Sequence, residues 1–376
     1  MSRPAQILVD LTAIKANCKL AQSLAPHSNT VAVVKADAYG HGAVEVAKAI
    51  ESQVEMLTVS CLEEAIALRE GGINKPILLL EGCFSEKEIE LAAQHKLELV
   101  VHKQQQVDDL QVSRVAHAFK IWLKIDSGMH RLGIATSEVE KNYQQLNTMN
   151  CVDSIVLCTH LASADQVNSD FTLKQLSCFQ QAIASTLATH RRSNTKEIEL
   201  SIANSAGILA WPQSHTQWNR PGIMLYGLSP FAEPHLQAQR LQPSMTFRSQ
   251  VIALREIEVG ECVGYGHTWK AERRSTIATV AVGYGDGYPR TARSGTPLLI
   301  NGHRAPLVGR VSMDLISVDV TDLPMTDLGS EVVMWGKAES GQQLCANEVA
   351  SYAGTIGYEL VTRMPTRVNR HYVNNQ

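Results

Sequence analysis

The segment Val31-Ala-Val-Val-Lys-Ala-Asp-Ala-Tyr-Gly-His-Gly42 opens with four apolar residues, three of them β-branched, then turns polar and glycine-rich. The apolar run has the length and composition of a buried strand. Past the glycines, Val46, Ala47 and Ile50 recur at helical spacing, so a helix is expected from Ala43. Lys35 is therefore expected at the C-terminal end of a parallel strand, just before a βα loop. Barrels and doubly wound sheets place their chemistry there. Partial burial at such a place lowers an amine's pKa and suits it to Schiff-base formation. In this stretch alone, a lysine that merely ends a strand and reaches back to solvent reads the same way.

Working outward, residues 5–11 read as a strand and 12–24 as a helix with Ile14, Leu20 and Leu24 on one side. Strand signals then recur at Thr30–Ala36, Met56–Ser60, Pro76–Glu81, Leu97–Val101, Phe119–Ile125, Ser154–Thr159, Glu197–Ala203 and Pro221–Tyr226. Helices are expected between them, over Leu62–Glu70, Glu86–His95 and Phe171–Leu187 among others. Eight strands alternating with helices over roughly 200 residues is the arithmetic of a (β/α)8 TIM-like barrel. A doubly wound sheet usually closes with fewer strands. Near residue 235 the pattern changes: Pro230, Pro234 and Pro243 interrupt the chain and helical periodicity largely disappears. The segments Met245–Leu254, Thr276–Val282, Thr296–Ile300, Leu315–Val320 and Glu331–Trp335 alternate with glycine-rich turns, as in a mostly antiparallel β domain. The expected organisation is an α/β barrel over 1–236 and a β-rich domain over 237–376, with residues 1–11 available to pair with the second.

The 376 residues are 44% hydrophobic and 19% charged with a net charge of −3, an ordinary globular balance that argues against a nucleic-acid or anionic-membrane surface. No run reaches transmembrane length, and the first residues have no signal-peptide core, so a cytoplasmic location is expected. The eight cysteines are scattered without a C-x-x-C pair, which favours free thiols in a reducing compartment over disulfides or metal ligation.

Four further clusters fall at the expected C-terminal ends of barrel strands. Trp122-Leu-Lys-Ile-Asp-Ser-Gly-Met-His-Arg-Leu-Gly133 places Lys124 and Asp126 at a strand end and Arg131 in the following loop. Charges inside a strand are costly unless paired. Cys158-Thr-His160 puts His160 at the next strand tip, where a core histidine bonded to backbone is the commoner explanation. Ser201-Ile-Ala-Asn-Ser-Ala-Gly207 and Asn219-Arg-Pro-Gly-Ile-Met-Leu-Tyr-Gly227 combine small residues, the Ser205 hydroxyl and Gly222 at strands seven and eight, where barrels often hold phosphate. Each is weak alone; a lysine, a phosphate cradle, a histidine and two arginines at one mouth are together far less expected by chance. The β domain adds Tyr265, Tyr284 and Tyr288 among glycines, with Gly309-Arg-Val-Ser-Met-Asp314 and Gly357-Tyr-Glu-Leu360 as loop-like stretches.

Together these motifs resemble the alanine racemase family over nearly the whole chain, with the Val33–Gly42 segment the most specific. The resemblance implies a barrel plus β domain, pyridoxal 5′-phosphate as cofactor and alanine as substrate. It also implies a homodimer with shared active sites. Lys35 matches the lysine that forms an imine with the cofactor, and Tyr265 the second catalytic base. Tyr39, Ser205, Gly222, Ile223 and Tyr358 match phosphate contacts. Arg220 matches the arginine facing the pyridine nitrogen, and His160 the histidine beneath the ring. Arg131 matches an arginine near the substrate carboxylate. Met313, Asp314 and Tyr284 match residues that a partner subunit contributes at the substrate end. Lys124 matches a lysine that many members carbamylate, a change that would turn a buried cation into an anion able to hold Arg131.

Those residue types suit racemisation, which needs a base on each face of Cα. A tyrosine with a pKa near about 10 is a poor base at neutral pH, and His160 and Arg220 are expected to act as cations that help it ionise. An arginine at the pyridine nitrogen does not readily give up its proton, which disfavours transamination. Three rivals are weighed against this. A decarboxylase of the same plan normally has an acidic group at the pyridine nitrogen, against which Arg220 counts. A single-barrel cofactor-carrier protein would lack Tyr265 and its domain. A broad-specificity racemase of the same fold usually has a signal peptide when periplasmic. Neither a biosynthetic role in peptidoglycan nor a catabolic one is written in the residues.

Overall fold

The computed structural model describes residues 3–193 and 197–374. Residues 1, 2, 375 and 376, at the outer ends of the two expected domains, lie outside the described residues. The chain opens with β1 (Gln6–Asp10), and Asp10 caps the helix Leu11–Leu24, its Oδ1 accepting from the N–H groups of Thr12 and Ala13 at 2.9 and 3.0 Å.

Eight parallel strands then close a barrel: β2 (Asn29–Val33), β3 (Met56–Val59), β4 (Ile77–Leu79), β5 (Leu97–Val101), β6 (Phe119–Lys124), β7 (Val152–Cys158), β8 (Glu199–Ser201) and β9 (Trp218–Asn219). Closure is made by β9 pairing with β2, Asn29 opposite Trp218. The lumen is filled by one layer of side chains that includes Val31, Met56, Leu78, Val100, Trp122 and Trp218. The two tryptophan rings meet edge to face with centroids 5.6 Å apart. The barrel is therefore solid, and only its rim can receive a ligand. The expected helices appear at Leu62–Glu70, Glu86–Gln94 and Phe171–Ser193.

The eighth strand differs from its expected place. Pro221 has no N–H to give a ladder, and the apolar run after it forms a 3₁₀ turn, Ile223–Tyr226, leaving only Trp218–Asn219 as strand. A short apolar run does not distinguish strand from buried helical turn by periodicity.

The second unit is a nine-stranded sheet in the order β18-β17-β14-β15-β16-β13-β10-β1-β19. Its strands are β10 (Met245–Ile257), β13 (Ser275–Val280), β14 (Pro297–Ile300), β15 (His303–Val308), β16 (Ile316–Asp319), β17 (Glu331–Lys337), β18 (Gln343–Leu344) and β19 (Asn369–Val373). A small hairpin of β11 (Cys262–Val263) and β12 (Trp269–Lys270) stands apart from it. The ladders are antiparallel except one: β1 enters between β10 and β19, antiparallel to the first and parallel to the second. Two short helices, Ala346–Ala353 and Gly357–Thr362, lie where helical periodicity fades and a loop is expected. Eight and six residues are too few for a helical repeat to stand out.

Candidate active site

Lys35 follows β2 directly, and the chain beyond it does something no periodicity predicts. Ala36, Asp37, Ala38 and Tyr39 all have φ between 51° and 53°, four consecutive non-glycine residues in a left-handed turn. Such a conformation costs about 1–2 kcal/mol per residue, so bonds around it must offset the strain. The N–H of Ala38 donates to Val34 O at 2.9 Å, that of Gly42 to Asp37 O at 2.9 Å, and that of Ala36 to Glu64 Oε1 at 2.6 Å. His41 is fully buried beneath the turn, with Nδ1 2.9 Å from Tyr39 O and Nε2 3.0 Å from Ser244 Oγ. Burial moves its pKa down to about 4, so the ring is neutral.

The turn aims Lys35 at a cluster of cations. Burial lowers the Lys35 amine below its usual range, and Arg131 adds to the effect against weaker help from Glu81 and Glu64. Lys124, at the end of β6, is lowered by burial too, with Arg220, Arg131 and Lys35 nearby. Its amine has no hydrogen-bond or ion-pair partner among the described residues. Arg131 is exposed on a loop that returns on itself: Asp126 Oδ1 accepts from the N–H groups of Gly128, Met129 and His130 at 3.0–3.1 Å, and Ile134 N donates to Lys124 O at 2.8 Å. His160 is held well below the usual imidazole range by burial first, then by Arg220, Lys124, Arg131 and Lys35. It is therefore neutral, which corrects its expected part as a cation. Arg220 is 7% exposed and donates to Thr159 O at 2.6 Å, to Ile202 O at 3.2 Å and to Ser201 Oγ. Ser201 and Thr159 lie in two of the clusters picked out in the sequence, but their part as supports of Arg220 follows only from the fold, which brings strand ends far apart in the chain together.

Hydroxyl groups gather around Gly222. Ser205 Oγ accepts from Gly222 N at 2.8 Å and from Met224 N at 3.3 Å, which leaves its O–H to donate. A Cβ on Gly222 would come 2.8 Å from the Tyr39 hydroxyl, so only glycine leaves this space. Ile223 is buried next to it. Tyr39 stacks on Tyr226 with centroids 4.8 Å apart and lies 6.2 Å from the Tyr358 ring. Burial raises the Tyr39 phenol to about 12 and Tyr358 further, keeping both protonated and able to donate. The five expected cradle residues thus share one place.

The remaining expected residues are elsewhere. Tyr265 sits at the tip of the β11–β12 hairpin, 68% exposed and without a hydrogen bond among the described residues. Met313 and Tyr284 are also exposed. They are fastened to each other, since Tyr284 N donates to Ser312 O at 3.0 Å and Gly285 N to Met313 O at 2.8 Å. Buried Asp286 anchors that pair of loops, accepting from Arg3 Nη2 at 2.6 Å and Gly283 N at 2.9 Å with Arg367 3.0 Å away. Asp314 pairs with Arg367 at 2.6 Å. Asp286, Arg3 and Arg367 do not stand out in the sequence, and no motif marks them.

The profile of the alanine racemase N-terminal domain matches residues 9–230, and that of the C-terminal domain matches residues 244–372. The chain belongs to the alanine racemase family. It is 49% identical to an alanine racemase of Pseudoalteromonas atlantica over 384 aligned residues, covering 100% of both chains. It is 44% identical to a catabolic alanine racemase of Pseudomonas putida over 371 residues, covering 99% of each. Among solved structures, the biosynthetic alanine racemase of Pseudomonas aeruginosa superposes with a TM-score of 0.92 at 43% identity, covering 99% of this chain and 100% of that one. The alanine racemase fold thus extends over barrel and sheet alike.

Proposed function

We propose that the protein interconverts L- and D-alanine, using pyridoxal 5′-phosphate and two proton-transfer groups, Lys35 and Tyr265. The observation that carries this reading is an amine of lowered pKa at a barrel rim, in the same chain turn as one of the hydroxyls gathered at Gly222, where a Cβ would crowd the Tyr39 hydroxyl. That group of hydroxyls suits a phosphate: Ser205, Tyr39 and Tyr358 each have an O–H to donate, and the cations around Lys35 suit the rest of an anionic cofactor. Bound there, the cofactor would delocalise the charge left on Cα when its proton departs.

The chain's own groups then divide the work. Lys35 holds the cofactor, and as a neutral amine exchanges a proton on the face of Cα from which the D-isomer loses it. Tyr265 does the same on the L face. Arg131 would bind the substrate carboxylate, while Arg220, whose proton stays in place, would serve as the partner of the cofactor's ring nitrogen. His160 would help hold the cofactor as a neutral group. Met313, Asp314 and Tyr284 close the substrate end.

Since Tyr265, Tyr284 and Met313 are exposed in one chain, the working unit is read as a homodimer in which each β domain completes its partner's barrel mouth. Mixing Lys35→Ala with Tyr265→Phe protein under conditions of verified subunit exchange should restore activity, because one of the two hybrid sites is then undamaged. No recovery sinks the shared site. Borohydride reduction should fix the cofactor on Lys35; an adduct on another lysine would overturn the assignment. Lys124 is read as a carbamate, since a buried amine without a partner beside three cations gains by becoming an anion. Activity should fall in carbonate-depleted buffer and return with bicarbonate. Racemisation of a panel of L-amino acids separates an alanine enzyme from a broad-specificity one. We place the protein in the cytoplasm, in keeping with cysteines that are all unpaired and with the lack, among the described residues, of a helix long and apolar enough to cross a membrane.

A further inference from the structure

The left-handed turn that carries Lys35 is gripped from outside the barrel by a residue of the last strand. Arg370 lies on β19, in register with Ile7 of β1, so its backbone is fixed inside the sheet. Its side chain is 13% exposed and reaches three groups: Asp37 Oδ2 at 3.1 Å, Gly40 O at 2.8 Å and Met364 O at 3.1 Å. Asp37 is the second residue of the left-handed run, and its other oxygen, Oδ1, accepts from Ala43 N at 2.8 Å, where the following helix begins. One guanidinium therefore ties the middle of the turn, through Asp37, and its end, through Gly40, to the far domain. The same turn is pressed from the other side, because a Cβ on Gly40 would collide with the Val361 carbonyl of helix Gly357–Thr362. That helix carries Tyr358.

We propose that Arg370, acting through Asp37 and the Gly40 carbonyl, is a positioning residue that holds the left-handed turn and so fixes where Lys35 and Tyr39 meet the cofactor. The β domain of the same chain thus sets the geometry of the cofactor-bearing lysine. Four residues in a sparsely populated backbone region persist only where surrounding structure over-determines them. A planar fork that bonds a carboxylate and two carbonyls at once does this, and a lysine's single ammonium does not. The inference rests on the reading of Lys35 as the cofactor's attachment point.

The test compares Arg370→Ala, Arg370→Lys and Asp37→Asn with wild type, and uses Arg304→Ala as a control that removes only an exposed pair with Glu348. The first readout is hydrogen exchange at the amides of Ala38, Gly42 and Ala43 in the purified full-length protein. Exchange there should accelerate in Arg370→Ala and Asp37→Asn while the β-sheet amides keep their protection. The second is retention of added pyridoxal phosphate, which should weaken about ten- to a hundredfold in Arg370→Ala, the scale found when a group behind a ligating residue is lost. Arg370→Lys should recover part of it, and kcat should fall more than KM changes. Unaltered amide exchange and unaltered retention in both Arg370→Ala and Asp37→Asn would overturn the proposal. So would equal effects in Arg304→Ala. If Arg370→Ala fails to fold, Asp37→Asn decides alone, since Asp37 is exposed and its Oδ1 bond to Ala43 can be kept. Borohydride trapping away from Lys35 in wild type would instead defeat the parent reading, leaving the exchange result to stand by itself.

Discussion

The barrel mouth and the exposed face of the β domain are built by opposite means. At the mouth, three groups are each held by several others: Arg220 by two carbonyls and a serine, Asp126 by three N–H groups, the Lys35 turn by bonds from β19, Glu64 and His41. Cations are crowded there, and burial depresses Lys35, Lys124 and His160 alike. Tyr265 stands in solvent with glycines on either side of it at φ 73° and 72°. What is rigid on that face is the loop pair Tyr284 and Met313, pinned by Asp286 from below. The contrast teaches that the barrel mouth is pre-formed within one chain while the hairpin face is presented outward, the two being the two sides of the reaction on the function proposed above.

The sharpest way to break this comparison is at Lys35. Lys35→Ala should lose covalent cofactor attachment and at least about 10²–10⁴-fold in rate, the scale of a general acid–base group. Tyr265→Phe should lose about 10²–10⁴-fold while still attaching cofactor, as borohydride trapping and absorbance would show. If the two variants lose cofactor equally, the division into a cofactor-holding mouth and a proton-transferring face is wrong.

The mouth should also reveal itself in pH-dependent stability. His41 titrates at about 4 in the folded chain and near 6.5 unfolded. Below pH 6.5 the unfolded chain takes up a proton that the folded one refuses, so stability drops as pH falls from 6.5 to 4. The loss approaches about 3 kcal/mol, at about 1.36 kcal/mol for each pH unit between the two values. Urea midpoints at pH 7, 5.5 and 4.5 should show a slope that His41→Gln removes. Glu98 gives the opposite sign. Burial near the barrel floor raises it to about 7 although Trp122 Nε1 donates to it at 2.7 Å. The folded chain holds its proton where the unfolded one has released it, so stability falls as pH rises from 4.5 to 7, and Glu98→Gln should flatten that arm. The smallest effect is expected on the exposed face: Asp286→Ala should cost about 2–3 kcal/mol, the range for bonds to a charged group. It should raise KM more than it lowers kcat. A kcat effect as large as that of Tyr265→Phe would show that these loops do chemistry.

The barrel was legible because most of its strands are short apolar runs that alternate with helical stretches. The eighth was not, since Pro221 cut it to two residues and an apolar 3₁₀ turn mimicked its pattern. Residues at the mouth could be found because chemistry-bearing types ended successive strands, and the Lys35 segment was distinctive enough to indicate the family. The left-handed turn was invisible, because Ala36, Asp37, Ala38 and Tyr39 have no local preference for positive φ. Their conformation is imposed by tertiary bonds. Arg370 was missed for the same reason: more than three hundred residues of chain separate it from Asp37. The charge of His160 was misjudged because its burial among cations is a product of the fold and is not written in its neighbours along the chain.

The insertion of β1 between β10 and β19 has a consequence for synthesis. Gln6 is made well over three hundred residues before its parallel neighbour Asn369. The barrel strands have no such wait, being complete once Asn219 has emerged. The nascent chain must therefore carry β1 unpaired past a finished barrel until β10 is made, and then with one edge open until β19 arrives. Long-range pairings of this kind form slowly and leave an open edge exposed. Removing residues 369–374 should accordingly harm yield and solubility more than it harms the barrel. The lysine turn, whose grip arrives with Arg370, would be the last part of the mouth to set.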